Sequence, residues 1–292
     1  MTMATPQSER VRVHRLDARA ALRALPPGSI SVLITDPPYR TVDRSRSSGH
    51  LRRWFAKSLT WTEIGKILAL ARSRMRPDGI AFVMTNSDGL GEAITALRRA
   101  GFARVRTITW DKQIPGLGGG LRHQTEFILV GYLPGSRTLS GVDLISVQAV
   151  GPGTANRYVT EKPEGLGRAL ARIANVGPTD LVVDPFCGSG GLLVGAAERG
   201  ATVAGCDVAP AAIKRATSRL LGRDVARKPG SPRLNNRGAS SPGARRRQET
   251  RGSGSPARAS SPPARSSIAR PSRPGSPLSA AKRGSGRPAQ GS

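Results

Sequence analysis

Cysteine, histidine and aromatic rings are scarce in this chain of 292 residues: two Cys, three His, and 4% Phe, Trp and Tyr together. Two thiols, Cys187 and Cys206, exclude a disulfide framework, and neither they nor the histidines show metal-ligand spacing. Acids are also few, 19 against 46 Lys and Arg, for a formal net charge of +27. No apolar run reaches the roughly 18 residues that a bilayer-spanning helix needs. The stretch "MTMATPQSERVRVHR" has no signal-peptide core. These absences lead us to expect a reduced, cytoplasmic protein, monomer or homodimer, with no metal and no membrane partner. The excess of positive charge points instead to a polyanion, with nucleic acid ahead of a membrane surface.

The charge is carried by two unlike parts. Residues 222–292 hold sixteen Lys and Arg against two acids, Asp224 and Glu249, and contain no aromatic residue. Ser, Pro, Gly, Ala and Arg dominate that part, as in "SSPPARSSIARPSRPGSP". Such a composition cannot bury enough apolar surface to offset chain entropy, so residues 222–292 are expected to be a disordered basic tail. Residues 1–221 are expected to be the folded domain.

Within that domain strands alternate with helices. Apolar runs at 10–17, 30–35, 80–85, 104–110, 125–132, 180–184 and 202–207 read as strands. Helical spacing or composition marks 18–25, 61–75, 89–101, 165–175, 191–200 and 209–221. The alternation predicts an α/β domain built on a largely parallel sheet.

Two stretches carry chemistry. In "SVLITDPPYR" a buried strand ends abruptly at Pro37 and Pro38, because proline cannot donate to a sheet ladder. Asp36 and Tyr39 are left on a stiff turn at a carboxyl strand end, where open α/β sheets bind ligands. In "DLVVDPFCGSGG" a strand ends at Asp184, and a loop with Gly188, Gly190 and Gly191 opens a helix. Asp207 follows 19 residues after Gly188, at the end of the next strand. This is the layout of a nucleotide-binding βαβ unit whose second-strand acid meets ribose hydroxyls. The loop lacks the Lys-Ser/Thr of a phosphate-binding P-loop, and Leu193 stands where the NAD fingerprint needs its third glycine.

Taken together, these stretches resemble the S-adenosylmethionine-dependent amino-methyltransferases of DNA. Asp36-Pro37-Pro38-Tyr39 matches their catalytic D/N/S-P-P-Y/F/W motif, and Asp184-Pro185-Phe186-Cys187-Gly188-Ser189-Gly190 matches their cofactor loop. Thr160-Glu161-Lys162-Pro163 matches the T-x-K-P segment before that loop, and "TWDKQIPGLGGGLRHQTEFILVG" resembles a W-D-K…E-x-x-L region of phage and prophage enzymes. The catalytic motif precedes the cofactor loop, the circularly permuted order of the β class. The resemblance implies a Rossmann-like methyltransferase sheet, mostly parallel with one antiparallel strand near an edge. It also implies that the N-terminal strand pairs beside the strand ending at Asp207. Two departures stand out. Gly191 replaces a usual Thr, and only 133–159 remains for a target-recognition insert that is normally larger.

The resemblance assigns roles. Asp36 and the Pro37 carbonyl accept hydrogens from a base amino group, Pro38 stiffens the turn and Tyr39 stacks on the flipped base. Asp184, Pro185, Phe186, Gly188, Ser189 and Gly190 surround the cofactor. Asp207 takes the ribose, Asp17 lies near the adenine (or simply caps the helix that follows), and Thr160 and Lys162 hold the cofactor's carboxylate. The basic stretch after the catalytic motif supplies candidate DNA contacts at Arg40, Arg44, Arg46, Arg52 and Arg53, with Arg122 elsewhere. The expected activity is methylation of adenine N6 in DNA. N4-methylation of cytosine, or a weakly catalytic nucleic-acid binder acting through its basic tail, are the alternatives.

Overall fold

The computed structural model describes residues 6–39, 58–116, 120–150 and 161–222. The expected tail and the basic stretch at 40–57 lie outside the described residues, as does Thr160.

Eight strands form one sheet. In chain order they are β1 (Val11–Arg15), β2 (Ile30–Thr35), β3 (Met75–Thr85), β4 (Arg104–Asp111), β5 (Thr125–Tyr132), β6 (Leu144–Ser146), β7 (Leu181–Asp184) and β8 (Thr202–Asp207). Their order across the sheet is β1-β8-β7-β2-β3-β5-β4-β6. Only β5 runs against the rest: its pairings with β3 and β4 are antiparallel, and all others are parallel. This is the mostly parallel α/β methyltransferase sheet that the resemblance implied. The N-terminal strand joins at Arg15↔Asp207, so the two chain regions separated by the permutation meet edge to edge.

Helices cover both faces. α1 (Gln7–Arg10) is a single turn before β1. α2 (Ala18–Arg23), α3 (Trp61–Arg72) and α4 (Leu90–Arg99) pack on one face. α5 (Glu164–Ile173), α6 (Val194–Glu198) and α7 (Pro210–Leu220) pack on the other. β2 shows why the strand is mostly apolar. All six residues are buried, with Leu33 facing the first helical layer while Val32 and Ile34 face the second. α3 begins with a capping box, in which Thr60 Oγ1 accepts from Glu63 N–H and the Glu63 carboxylate accepts from Thr60 N–H.

Two expectations need correction. The helix at 61–75 ends at Arg72, and β3 starts at Met75 and runs on through Pro77-Asp78-Gly79. A register shift against β2 lies there, and a bulge is where a strand tolerates proline. The helix at 191–200 is a 3₁₀ turn (Gly191–Leu193) followed by the short α6. The described part of the 133–159 stretch is tied into the sheet at two points. Arg137 makes paired hydrogen bonds to Asp180 at 2.8 and 3.0 Å and a further one to Asp78, and β6 extends the sheet beside β4.

Candidate active site

The site lies at the carboxyl edge of the parallel strands, where β2 and β7 end side by side. Their register, Val32↔Val182 and Leu33↔Val183, brings the turn after β2 against the loop after β7. One buried bond joins them: Thr35 Oγ1 donates to Asp184 Oδ1 at 2.8 Å. Segments 149 residues apart in the chain thus share one wall.

The Asp36 turn is fixed by its own backbone. Tyr39 N–H donates to the Pro37 carbonyl at 2.8 Å, and Leu59 N–H to the Pro38 carbonyl at 2.7 Å. The Pro37 carbonyl, expected to serve a base amino group, therefore already holds one donor and keeps only its second lone pair. The Tyr39 ring stacks on buried Trp61, with centroids 5.5 Å apart and planes 17° from parallel. Burial and the Asp36 carboxylate both push the Tyr39 hydroxyl above the ordinary phenol range.

Asp36 is paired with Lys162, whose Nζ donates to Asp36 Oδ2 at 2.6 Å and lies 3.7 Å from Glu126 Oε2. All three side chains expose a fifth of their surface or less. Burial raises the Asp36 carboxyl above its usual range, Lys162 opposes that rise, and the Glu126 charge adds to it. Burial disfavours the Lys162 ammonium, but Asp36 and Glu126 outweigh it and hold the group above the ordinary lysine range. Lys162, expected at a cofactor carboxylate, rests its ammonium on Asp36 in the ligand-free chain. Sequence reasoning missed Glu126 and Lys112, which lies 3.4 Å from the other Glu126 oxygen. Both are letters of the W-D-K…E-x-x-L resemblance in "TWDKQIPGLGGGLRHQTEFILVG", which gave them no role.

The glycine loop is shaped mainly by its backbone. Gly188 and Gly190 have φ of 51° and 81°, which L side chains rarely adopt. Asp207 Oδ2 accepts from Gly188 N–H at 3.2 Å and Oδ1 from Ala209 N–H at 2.8 Å, so the acid at the end of β8 is tied to the loop. Asp184 is buried and accepts from Phe186 N–H at 3.0 Å as well as from Thr35. Burial pushes its carboxyl up to about 7 against those two hydrogen bonds, helped by the charges of Asp36 and Asp207. Pro185 is buried and Phe186 half-buried beside them.

Two expected cofactor residues also have partners within the protein. Ser189 is buried, and both its carbonyl and its hydroxyl accept from Arg219 Nη1 at 2.7 and 2.8 Å. Asp17 caps α2 by accepting from Arg19 N–H at 2.8 Å, the alternative role the sequence left open. The Gly191 departure has a steric cause. A Cβ there would lie 2.2 Å from the Lys162 carbonyl oxygen, so no side chain fits beneath that segment. Glu161 on the same segment pairs with Arg219. Arg122 is exposed on the β4–β5 loop, and Arg40, Arg44, Arg46, Arg52 and Arg53 lie outside the described residues. Among the described residues no group of acids, His or Cys could hold a metal, and no helix is long and apolar enough to cross a membrane.

Comparison with known proteins bears on the fold. The model of an RMKL-like methyltransferase domain matches residues 162–239. The fold is that of a methyltransferase. The methyltransferase-fold chain is 24% identical to the Type II methyltransferase M2.LlaDCHI of Lactococcus lactis subsp. cremoris, over 75% of this chain and 93% of that one. The solved M1.HpyAVI–SAM complex superposes with a TM-score of 0.55 at 18% identity, covering 72% of this chain and 99% of that one. PvuII DNA methyltransferase, described as cytosine-N4-specific, superposes with a TM-score of 0.58 at 15% identity, covering 74% and 88%. The chain resembles the DNA amino-methyltransferases in its sequence motifs and in its fold.

Proposed function

We propose that this chain transfers a methyl group from S-adenosylmethionine to the exocyclic amino group of a base in DNA. The observation that carries the reading is the Thr35–Asp184 bond, which seats the Asp36 turn and the glycine loop on one edge. The residues suit the cofactor. Its sulfonium and ammonium are cationic, and the charges of Asp36, Asp184 and Asp207 act on one another across this edge. Gly188 and Gly190 leave the loop without side chains, and Asp207 stands at the strand end that meets ribose in such βαβ units. S-adenosylmethionine, when bound, supplies an already activated methyl group.

The protein's share is alignment and electrostatics. A base amino nitrogen is a poor nucleophile because its lone pair is delocalised into the ring. Acceptors at its hydrogens favour a tetrahedral nitrogen and stabilise the positive charge that grows as the N–C bond forms. Asp36 is one such acceptor and the free lone pair of the Pro37 carbonyl is the other. The bound cofactor would supply the methyl with the carbon–sulfur electron pair remaining on sulfur, and Asp36 would pass the proton released by the nitrogen to solvent. The base must leave the duplex to reach this turn. Tyr39, backed by Trp61, offers it a platform worth roughly 1–3 kcal/mol of stacking.

The finer reading is adenine N6, because the motif begins with Asp. Cytosine N4 is the second reading, favoured by the likeness to the cytosine-N4-specific PvuII fold. DNA is the partner, and Arg122 with the basic stretches at 40–57 and 222–292 supplies phosphate contacts. Incubating the full chain with labelled cofactor and duplex DNA, then separating nucleosides by mass spectrometry, tests this. N6-methyladenine is expected. N4-methylcytosine would move the target, and no label in DNA would reject the reading.

A further inference from the structure

The ion pair at the site presents a difficulty. Lys162 Nζ occupies Asp36 Oδ2 at 2.6 Å, yet Asp36 is the acceptor that a target amino group needs. Pulling the ammonium away would leave a buried carboxylate and a buried cation each without a partner, which is costly. A second seat lies next to the first. Glu126 Oε2 is buried, has no hydrogen-bond partner, and is 3.7 Å from the same Nζ. Glu126 Oε1 faces Lys112 Nζ at 3.4 Å, which stabilises the Glu126 charge while leaving Oε2 free. The main chain behind Lys162 is pinned, since its carbonyl sits over Gly191 and its neighbour Glu161 holds Arg219. Any motion is therefore confined to the side chain, and reaching hydrogen-bond distance of Glu126 takes a shift of about 1 Å.

We propose that Lys162 and Glu126 are positioning residues that hand one ammonium between two carboxylates: Lys162 rests on Asp36 in the free protein and moves onto Glu126 Oε2 when the target amino group takes Asp36. The inference rests on the amino-methyltransferase reading. In the exchange no buried charge is stranded, because Asp36 trades the ammonium for the amino hydrogen while Glu126 gains the ammonium. Asp36 is thereby screened until substrate arrives. Before that, burial and the Glu126 charge push the Asp36 carboxyl up and Lys162 opposes them; Asp184 and Tyr39 also face Asp36, with Lys112 behind Glu126 and Asp88 facing Tyr39.

The test uses the full chain, Glu126→Gln and Lys162→Met, with cofactor affinity by calorimetry as the control for folding. Methyl transfer to duplex DNA is followed against pH. Glu126→Gln is expected to lower the plateau kcat roughly tenfold, the scale of a hydrogen bond to a charged group. Its acid limb should move to lower pH, because one negative neighbour of Asp36 is gone. Lys162→Met should move the acid limb to higher pH and recover most of its rate at alkaline pH. An unchanged plateau in Glu126→Gln, or a loss in both variants at every pH with neither limb moved, would overturn the handover. If the wild type labels no DNA, the functional reading fails, and ¹³C NMR titration of Asp36 in the free proteins decides the coupling. Opposite shifts in the two variants support it, and no shift rejects it.

Discussion

The two halves of the site are built in different ways. The glycine loop is set by backbone. Gly188 and Gly190 take left-handed φ, Gly191 lies under the Lys162 carbonyl, and Asp207 clamps two amides. The Asp36 half is set by side chains from separate elements: Asp36 after β2, Glu126 on β5, Lys162 before α5, and Trp61 opening α3. A backbone-built cradle holds a constant ligand, whereas a cluster of movable charges can respond to a substrate that arrives and leaves. Substitutions in the first half should therefore change cofactor binding, and those in the second should change rate.

The largest expected effect sharpens that contrast. Asp36→Ala should reduce methyl transfer by about 10²–10⁴ while leaving cofactor affinity nearly unchanged, checked by labelled transfer and calorimetry on the same sample. Next is Gly191→Thr, which restores the residue usual in the resembling family. With the Cβ position only 2.2 Å from Lys162 O, it should cost about 1–3 kcal/mol, read as a Tm lowered by several degrees, and should displace Lys162 from Asp36. Of these substitutions it alone should damage both halves. Asp207→Ala should weaken cofactor binding roughly tenfold and cost about 1 kcal/mol of stability through its two amide bonds. Unchanged affinity by calorimetry would remove Asp207 from the cofactor site.

The buried acid of the loop gives a pH test. Asp184 titrates near 7 in the folded chain and near 4 when unfolded, so the folded state binds the extra proton between those values. Its contribution to stability is therefore fully present below about pH 4 and is lost as pH rises to about 7. Asp184→Asn should lose less stability than the wild type over that window, by at most about 4 kcal/mol, in denaturant titrations at several pH values. The smallest effect is at the exposed rim. Arg122→Ala should lower the salt slope of DNA binding by about 0.9 if it neutralises one phosphate.

How much of this was legible in the sequence follows the same division. The 125–132 strand was read with its true bounds, because its buried centre, Ile128 to Gly131, lies in an apolar run. The glycine loop was legible because backbone demands select residue types. β6 was not, since a strand of three residues is too short to show a pattern and is defined by its pairing with β4. The start of β3 was obscured by Pro77, which ordinarily ends a strand and sits at a bulge instead. Lys162 was read as a site residue, but its pairing with Asp36 was not legible. A side chain that long reaches several acceptors, and only tertiary packing selects Asp36. Ser189 matched a motif letter for letter, yet its polar atoms serve Arg219 of α7, a contact no local pattern encodes.

The central claim is that the Asp36 turn and the glycine loop are two walls of one methyl-transfer site. A crystal structure of the full chain with sinefungin, an amine analogue of the cofactor, tests it most directly. We expect the analogue against Gly188 and Asp207 with its amine directed at the Asp36 carboxylate. An analogue bound on the loop with that amine turned away from Asp36, or bound on another face, would contradict the account.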